Sequence, residues 1–477
     1  MQYAGGTATI PILVHLDLKG APPKISYLRQ LLPLLSYHSV SGLLVEYEDT
    51  FPYQGDLSIL AAKHAYTVDD LRLFIGDCAH FNIAVIPLVQ TFGHIEFALK
   101  HEAFAHLREN ENYPNSLCPS KPDSFTLISA MIEQIASFHN TSPAIHIGCD
   151  EVFQLGVCSD CKGRMGDRVW SKAQLFSAHV NRVAVHVKSV NPLLRVLIWD
   201  DMLRACDVVT LESSRLKETI EPMVWFYGAQ GFPDIWSRYS AVFPTIWCAS
   251  AFKGASGPTA TIPDLSLRVA NQQAWQAVIE DNATRVTSWG GFVLTGWSRY
   301  DHFGVLCELL PSALPSLVLC LTILNHGKFT PETHALASKE VGYPEGSLIS
   351  VGELKVMPSV DLHRSVPAAA IWLNSIRQAI LCNAFKKFIG SDLFCGWFHQ
   401  RNIAEGRLSR GVVDQLLGQV EQLIEDFDKL IFESQCLLPD VFDSAICEEW
   451  MDTHCRTYLH KLRKISNKME QVLQFVR

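Results

Sequence analysis

Eight short apolar runs, each followed by a longer helical or loop segment, set the strongest limit on what this chain can fold into. They span residues 12–17, 42–47, 83–89, 144–152, 195–199, 222–227, 244–248 and 291–297. Between the first two, Ile25, Leu28, Leu31, Leu32 and Leu35 recur at helix spacing. Near-continuous apolar strands need cover on both faces, which is the situation of a parallel sheet flanked by helices. Eight βα units favour closure over an open sheet, so the expectation is an α/β fold, a (β/α)8 TIM barrel over residues 8–325.

Beyond residue 326 the strand signals end. Pro331, Gly342, Pro344 and Gly346 mark a loop-rich passage. Further on, Val413, Leu416, Val420, Leu423, Phe427 and Leu430 follow three- and four-residue steps, widened by Leu417, Ile424 and Ile431. A last helix is expected to carry Trp450, Tyr458, Leu462, Ile465, Met469, Val472 and Phe475. Residues 326–477 therefore read as a helical C-terminal region packed on the barrel, with a homodimer as the alternative use of the same stripes.

The strand ends carry the chemistry. The run 144–152 stops on two adjacent acids, Asp150 and Glu151. In parallel α/β enzymes that edge is where catalytic groups collect. Two carboxylates in different environments suit a reaction needing one acid protonated and one charged; a capping or salt-bridging pair is the structural alternative. The same rim holds Asp17, Lys19, Glu46, Glu48, Asp49, Gln90, His94, Asp200, Tyr227, Trp247, Arg299 and Asp301. Trp199, Trp225 and Trp297 end three late strands. Core filling explains any one of them, whereas three facing two acids suggest a box for a small apolar group or a sugar face.

A net charge of −9 argues against a nucleic-acid surface. No apolar stretch approaches the roughly 20 residues of a membrane span. The N-terminal stretch lacks the pattern of a secretory signal, so a cytoplasmic protein is expected, with the nucleus as a second compartment and a near-neutral pH optimum. The 14 cysteines mostly sit singly in apolar settings. Cys158 and Cys161 are the one close pair; without a second pair they read as a loop feature, so no metal and no cofactor are expected.

The run His146-Ile147-Gly148-Cys149-Asp150-Glu151-Val152 is similar to the strand-4 motif of family 20 glycoside hydrolases, the β-N-acetylhexosaminidases. Ile86-Pro87 with Gly93-His94 resembles that family's strand-3 motif, and Trp199-Asp200 its strand-5 motif. The stretches from Val14 to Pro23, Gln90 to His94 and Leu294 to His302 resemble the family's intracellular branch more closely still. The resemblance implies a retaining reaction on a small glycoside or glycoconjugate in which the substrate's 2-acetamido oxygen attacks the anomeric carbon, a variant of the two-carboxylate template. Glu151 would then be the acid and later the base, and Asp150 the group that holds the acetamido N–H. His94 falls among the substrate contacts, Trp199, Trp225 and Trp297 would wall the N-acetyl pocket, and Tyr227 would meet the acetamido oxygen. Strand alternation puts His146, Gly148 and Asp150 on one face, leaving Glu151 to be re-aimed by the following turn.

Departures from the family pattern fall on the sugar-hydroxyl grip. An arginine usual after strand 1 is replaced by Lys19-Gly20, and the acid usual after the strand-8 tryptophan by Ser298-Arg299. Asp17, Lys19, Arg299 and Asp301 are the candidates to share that grip, and an Arg299–Asp301 pair is the structural alternative. The intracellular branch implies N-acetylgalactosamine over N-acetylglucosamine. Two other classes remain. A metal-dependent hydrolase would draw ligands from His15, Asp17, His94, His146 and Asp301, and a sugar-binding barrel would have lost turnover.

Overall fold

The computed structural model describes residues 9–166, 170–352 and 369–474. Eight strands run parallel and close on themselves: β1 (Ile12–Asp17), β2 (Val40–Glu46), β3 (Ala84–Leu88), β4 (Ala144–His146), β5 (Arg195–Trp199), β6 (Glu221–Trp225), β7 (Thr245–Lys253) and β8 (Ser288–Gly296). Their spatial order is their chain order, and β1 pairs with both β2 and β8. The fold is a (β/α)8 barrel followed by a helical region, as the apolar runs require.

Alternation along each strand sorts the side chains into two layers. Leu13, Leu44, Ile86, Leu197, Met223, Ala249 and Val293 form a cluster of their own inside the barrel. Their neighbours Val14, Leu43, Val45, Val196, Ile198, Val224 and Leu294 join the larger core beneath the surrounding helices. Trp199 belongs to the inner cluster, with Trp225 and Trp297 packed against it at the strand ends. The barrel plug thus finishes in an aromatic surface.

Two strands differ from expectation. β4 ends at His146, because the chain adopts left-handed conformations at Gly148 and Cys149 that no strand accommodates. β7 continues to Lys253, which leaves Trp247 near its beginning. Its indole donates to Glu221 at the start of β6 (2.7 Å), at the end of the barrel opposite the rim. Trp247 is therefore a bottom-face residue.

The loop-rich passage also contains a helix, Pro331–Glu340, which opens on a proline at a position where no N–H is needed. Later come Ala369–Ile389, Arg410–Leu437, Ser444–Met451 and Thr457–Leu473, the last two joined by a π-helical turn, Asp452–Arg456. Val413, Leu416, Val420, Phe427 and Leu430 meet Leu459, Leu462 and Met469 in a second core, with Leu423 partly buried at its edge. The stripe is used within the chain. Trp372, Leu438, Phe442, Ile446 and Trp450 merge with the barrel's own core, and the Lys24 N–H donates to the Val441 carbonyl (2.7 Å). Phe475 lies outside the described residues. Among the described residues no helix is long and apolar enough to cross a membrane.

Candidate active site

A cavity of about 230 Å³ opens over the C-terminal strand ends, where the aromatic top of the plug is its floor. Lys19, Gln90, His94, Asp150, Glu151, Trp199, Trp225, Tyr227, Gly254, Ala255, Trp297, Arg299 and Tyr300 line it.

Its acidic wall depends on an unusual stretch of backbone. After His146, Gly148, Cys149 and Glu151 take φ values of 67°, 73° and 47°. His94 (φ 49°) does the same in the facing loop. Left-handed conformations cost a side-chain-bearing residue about 1–2 kcal/mol each, so the surroundings must impose them. The Gly148 N–H donates to His146 Nδ1 (3.0 Å). Thr91 Oγ1 donates to the Ile147 carbonyl (2.7 Å), and the Glu151 N–H to Asp201 Oδ2 (2.9 Å). Gly148 has no substitute: a Cβ there would land on the Gln90 side chain. Strand alternation therefore does not orient Asp150. The turns do, setting Asp150 deep (8% exposed) and Glu151 nearer the mouth (side chain 37% exposed).

Charge is concentrated below and beside this pair. His94 Nε2 donates to Glu151 (3.0 Å) and lies 3.7 Å from Asp150. Burial alone would lower its pKa, but Asp150, the Glu151 hydrogen bond and Glu96 raise it to about 10. His94 is thus a cation at neutral pH. Burial pushes Asp150 up to about 6 against the pull of His94, with Glu46 and Glu151 adding repulsion. Asp201 is pushed to about 7 by burial and by Asp150. Asp150 Oδ1 is buried without a hydrogen-bond partner among the described residues, and so is the Trp199 indole nitrogen.

The aromatic wall is cross-braced. Trp297 donates its indole N–H to the Tyr227 hydroxyl (3.0 Å), and Trp225 donates to Asp201 Oδ1 (3.2 Å). Trp199 packs tilted against Trp297, with ring centroids 5.8 Å apart, and against His146 at 4.5 Å. Burial holds Tyr227 in its phenol form.

Opposite stands Lys19, 3% exposed. Its ammonium lies 3.3 Å from Asp17, 3.7 Å from Glu48 and 3.9 Å from Glu46, and 5.3 Å over the Trp297 ring. Burial disfavours the charge, but Asp17, Glu46, Glu48 and Glu96 more than restore it, so Lys19 stays protonated. Arg299 reaches the cavity across Gly20, whose φ of 72° and missing Cβ leave room for the guanidinium. Its Nη2 donates to Glu449 of the C-terminal region (2.6 Å) and its Nη1 to the Gly304 carbonyl (2.5 Å).

Nine of the eleven residues expected at the site line the cavity, and two do not. Asp17 lies beneath Lys19, its carboxylate accepting the Lys19 and Ser298 N–H groups (2.9 and 2.7 Å). Asp301 is exposed and accepts the Phe303 and Gly304 N–H groups (2.8 and 2.7 Å), shaping its own loop. The pairing of Arg299 with Asp301 is likewise replaced by Glu449. In the strand-5 motif Asp200 turns away to Arg204 (2.6 Å), and the next residue, Asp201, serves the site. Nor do the histidines form a ligand set: His15 bonds Glu46 (3.2 Å), His94 bonds Glu151, and His146 takes the Gly148 N–H.

Comparison with known proteins fits this arrangement. The model of the glycosyl hydrolase family 20 catalytic domain matches residues 48–231. Hexosaminidase D of Homo sapiens is 35% identical over 98% of this chain and 96% of its own length. Hexosaminidase D of Bos taurus is 43% identical over 69% of this chain and 96% of its own. A crystal structure of a β-N-acetylhexosaminidase superposes with a TM-score of 0.50 at 14% identity, covering 74% of this chain and 80% of that one, a likeness of fold.

Proposed function

The chain belongs to glycosyl hydrolase family 20 and is a glycoside hydrolase of β-N-acetylhexosaminidase type; from there we propose that it removes terminal N-acetyl-β-D-hexosamine by a retaining, substrate-assisted route. The observation that carries this reading is the buried, unpartnered Oδ1 of Asp150, held inside an aromatic pocket beside Glu151. A buried carboxylate oxygen without a donor is costly, and an acetamido N–H supplies the donor.

In this reading the acetamido methyl lies among Trp199, Trp225 and Trp297. Its N–H meets Asp150, and its oxygen, aligned by the Tyr227 hydroxyl, attacks C1. Because Tyr227 accepts the Trp297 N–H, its own proton is directed to another acceptor. Glu151 protonates the departing glycosidic oxygen as the C1–O bond breaks, giving an oxazolinium ion whose positive charge faces Asp150. Water then attacks C1 and gives its proton to Glu151, which restores the acid, and the acetamido group reforms with the anomeric configuration retained. His94 orients Glu151 through the 3.0 Å bond. Lys19 and Arg299 are the groups offered to ring hydroxyls.

The proposal includes a preference for N-acetylgalactosamine over N-acetylglucosamine, supported by the motifs shared with the family's intracellular branch. A setting in the cytoplasm and nucleus is supported by cysteines that are all free thiols, mostly buried. The deciding experiment compares wild type with Glu151→Gln on paired aryl β-GalNAc and β-GlcNAc substrates. Release that collapses about 10²–10⁴-fold in the variant establishes the acid, and the substrate ratio establishes the sugar. Sugar binding without release by wild type removes the enzymatic reading.

A further inference from the structure

The Cys158–Cys161 pair does not stand alone in the fold. Cys118, at the end of the strand Tyr113–Leu117, lies with its Sγ 3.4 Å from that of Cys158 and 3.7 Å from that of Cys161. Glu109, on the neighbouring strand Arg108–Asn110, brings Oε2 to 3.2 Å from Cys161 Sγ. The four ligand atoms all lie within 4.8 Å of one another. We propose that Glu109, Cys118, Cys158 and Cys161 bind one zinc ion, a structural clip between the loop after β3 and the loop that carries Glu151.

Geometry and charge both support the ion. Zinc binds thiolate at about 2.3 Å and carboxylate at about 2.0–2.2 Å, so a tetrahedron around it has S···S edges of about 3.8 Å and S···O edges of about 3.5 Å. The Cys118–Cys158, Cys118–Cys161 and Glu109–Cys161 edges (3.4, 3.7 and 3.2 Å) need only a few tenths of an ångström of expansion, and no other edge exceeds 4.8 Å. Glu109 is 2% exposed, and among the described residues no cationic side chain pairs with it. Its Oε1 is fixed by the Val157 and Cys158 N–H groups (2.6 and 3.0 Å), which leaves Oε2 facing the thiols. The Cys161 N–H donates to Cys158 Sγ (3.3 Å), a bond that a thiolate accepts better than a thiol. Soft thiolate ligands select zinc over magnesium or calcium. Loading releases three thiol protons and leaves three thiolates and one carboxylate on the metal. Four protein ligands leave no open position for water, so the ion braces the loop and takes no part in hydrolysis.

The test uses the full chain, loaded with zinc and dialysed, with metal measured by mass spectrometry. One zinc per chain is expected, falling below a tenth in Cys118→Ser and in Cys161→Ser. Glu109→Gln, which keeps all three thiols, should bind at least tenfold more weakly. Cobalt in place of zinc should give the near-ultraviolet thiolate charge-transfer band. A thiol-blocking mercurial should release the metal from wild type to a chromophoric chelator, a reading that needs no variant to fold. Wild type that holds no zinc after loading, or zinc retained in full by Cys118→Ser, overturns the proposal. A Cys118–Cys158 disulfide in protein purified without oxidant does so too.

Discussion

At Asp150 the fold does two opposed things to one carboxyl group. It buries the group, which favours the proton, and it sets the His94 cation 3.7 Å away, which favours the charge. With burial stronger, Asp150 titrates near 6 and is largely anionic at neutral pH. The proposed mechanism needs that anion, so kcat/KM should fall as pH drops through about 6, and a profile still rising toward pH 4 would count against it. Asp150→Asn should lower kcat by about 10²-fold or more, because an amide cannot stabilise the growing positive charge. Circular dichroism would show the fold kept, and unchanged turnover would end substrate assistance as an account. The pair itself was legible as two acids closing an apolar run. Asp201 was not, since nothing local separates it from Asp200: Arg204 and Tyr239 claim the first, and the Glu151 N–H claims the second.

Among elements, the helix Ser444–Met451 has the most direct hold on the cavity. It sends Glu449 to Arg299, which crosses Gly20 to reach the sugar side. Without that carboxylate, Arg299 keeps only the Gly304 carbonyl. Glu449→Gln should therefore raise KM several-fold with kcat little changed, as expected when ground-state and transition-state binding are lost together. A variant with the wild-type KM on both sugars would show that the helix serves packing alone. The eight strands were readable because each is an apolar run with defined ends. Their limits were less so: β4 yields to Gly148, whereas β7 runs on through Lys253, a buried lysine that hydrophobic patterning would exclude. Glu449 and the partners of Cys158 escaped for one reason. Each joins residues far apart in the chain, and periodicity reports only near neighbours.

The whole molecule inherits a pH response from its site. Asp150 and Asp201 rise from an ordinary 3.8 to about 6 and about 7, Glu48 rises from 4.5 to about 7, and His94 from 6.5 to about 10. In all four the folded chain holds its proton more tightly than the unfolded one. Their contribution to stability is thus complete below the unfolded values and is lost as pH rises through the folded ones. Glu46, lowered to about 2, acts in reverse and only under acid conditions. Burial holds His139, His146 and His179 low, to about 4, 3 and 4, and so works in the opposite sense below about pH 6.5. Tm should therefore decline from pH 7 to 9, where His94 dominates, and the Tm advantage of wild type over Asp201→Asn should shrink as pH rises toward 7; a constant difference would mean that Asp201 does not titrate there. The union of barrel and tail has a consequence in time. Arg299 is synthesised 150 residues before Glu449, so a nascent chain holds its acids, its aromatic residues and its lysine while one wall of the site still lacks its tether. Full affinity for the sugar is then a late event of synthesis, and a newly made chain reaches its final KM only when the helix Ser444–Met451 has docked.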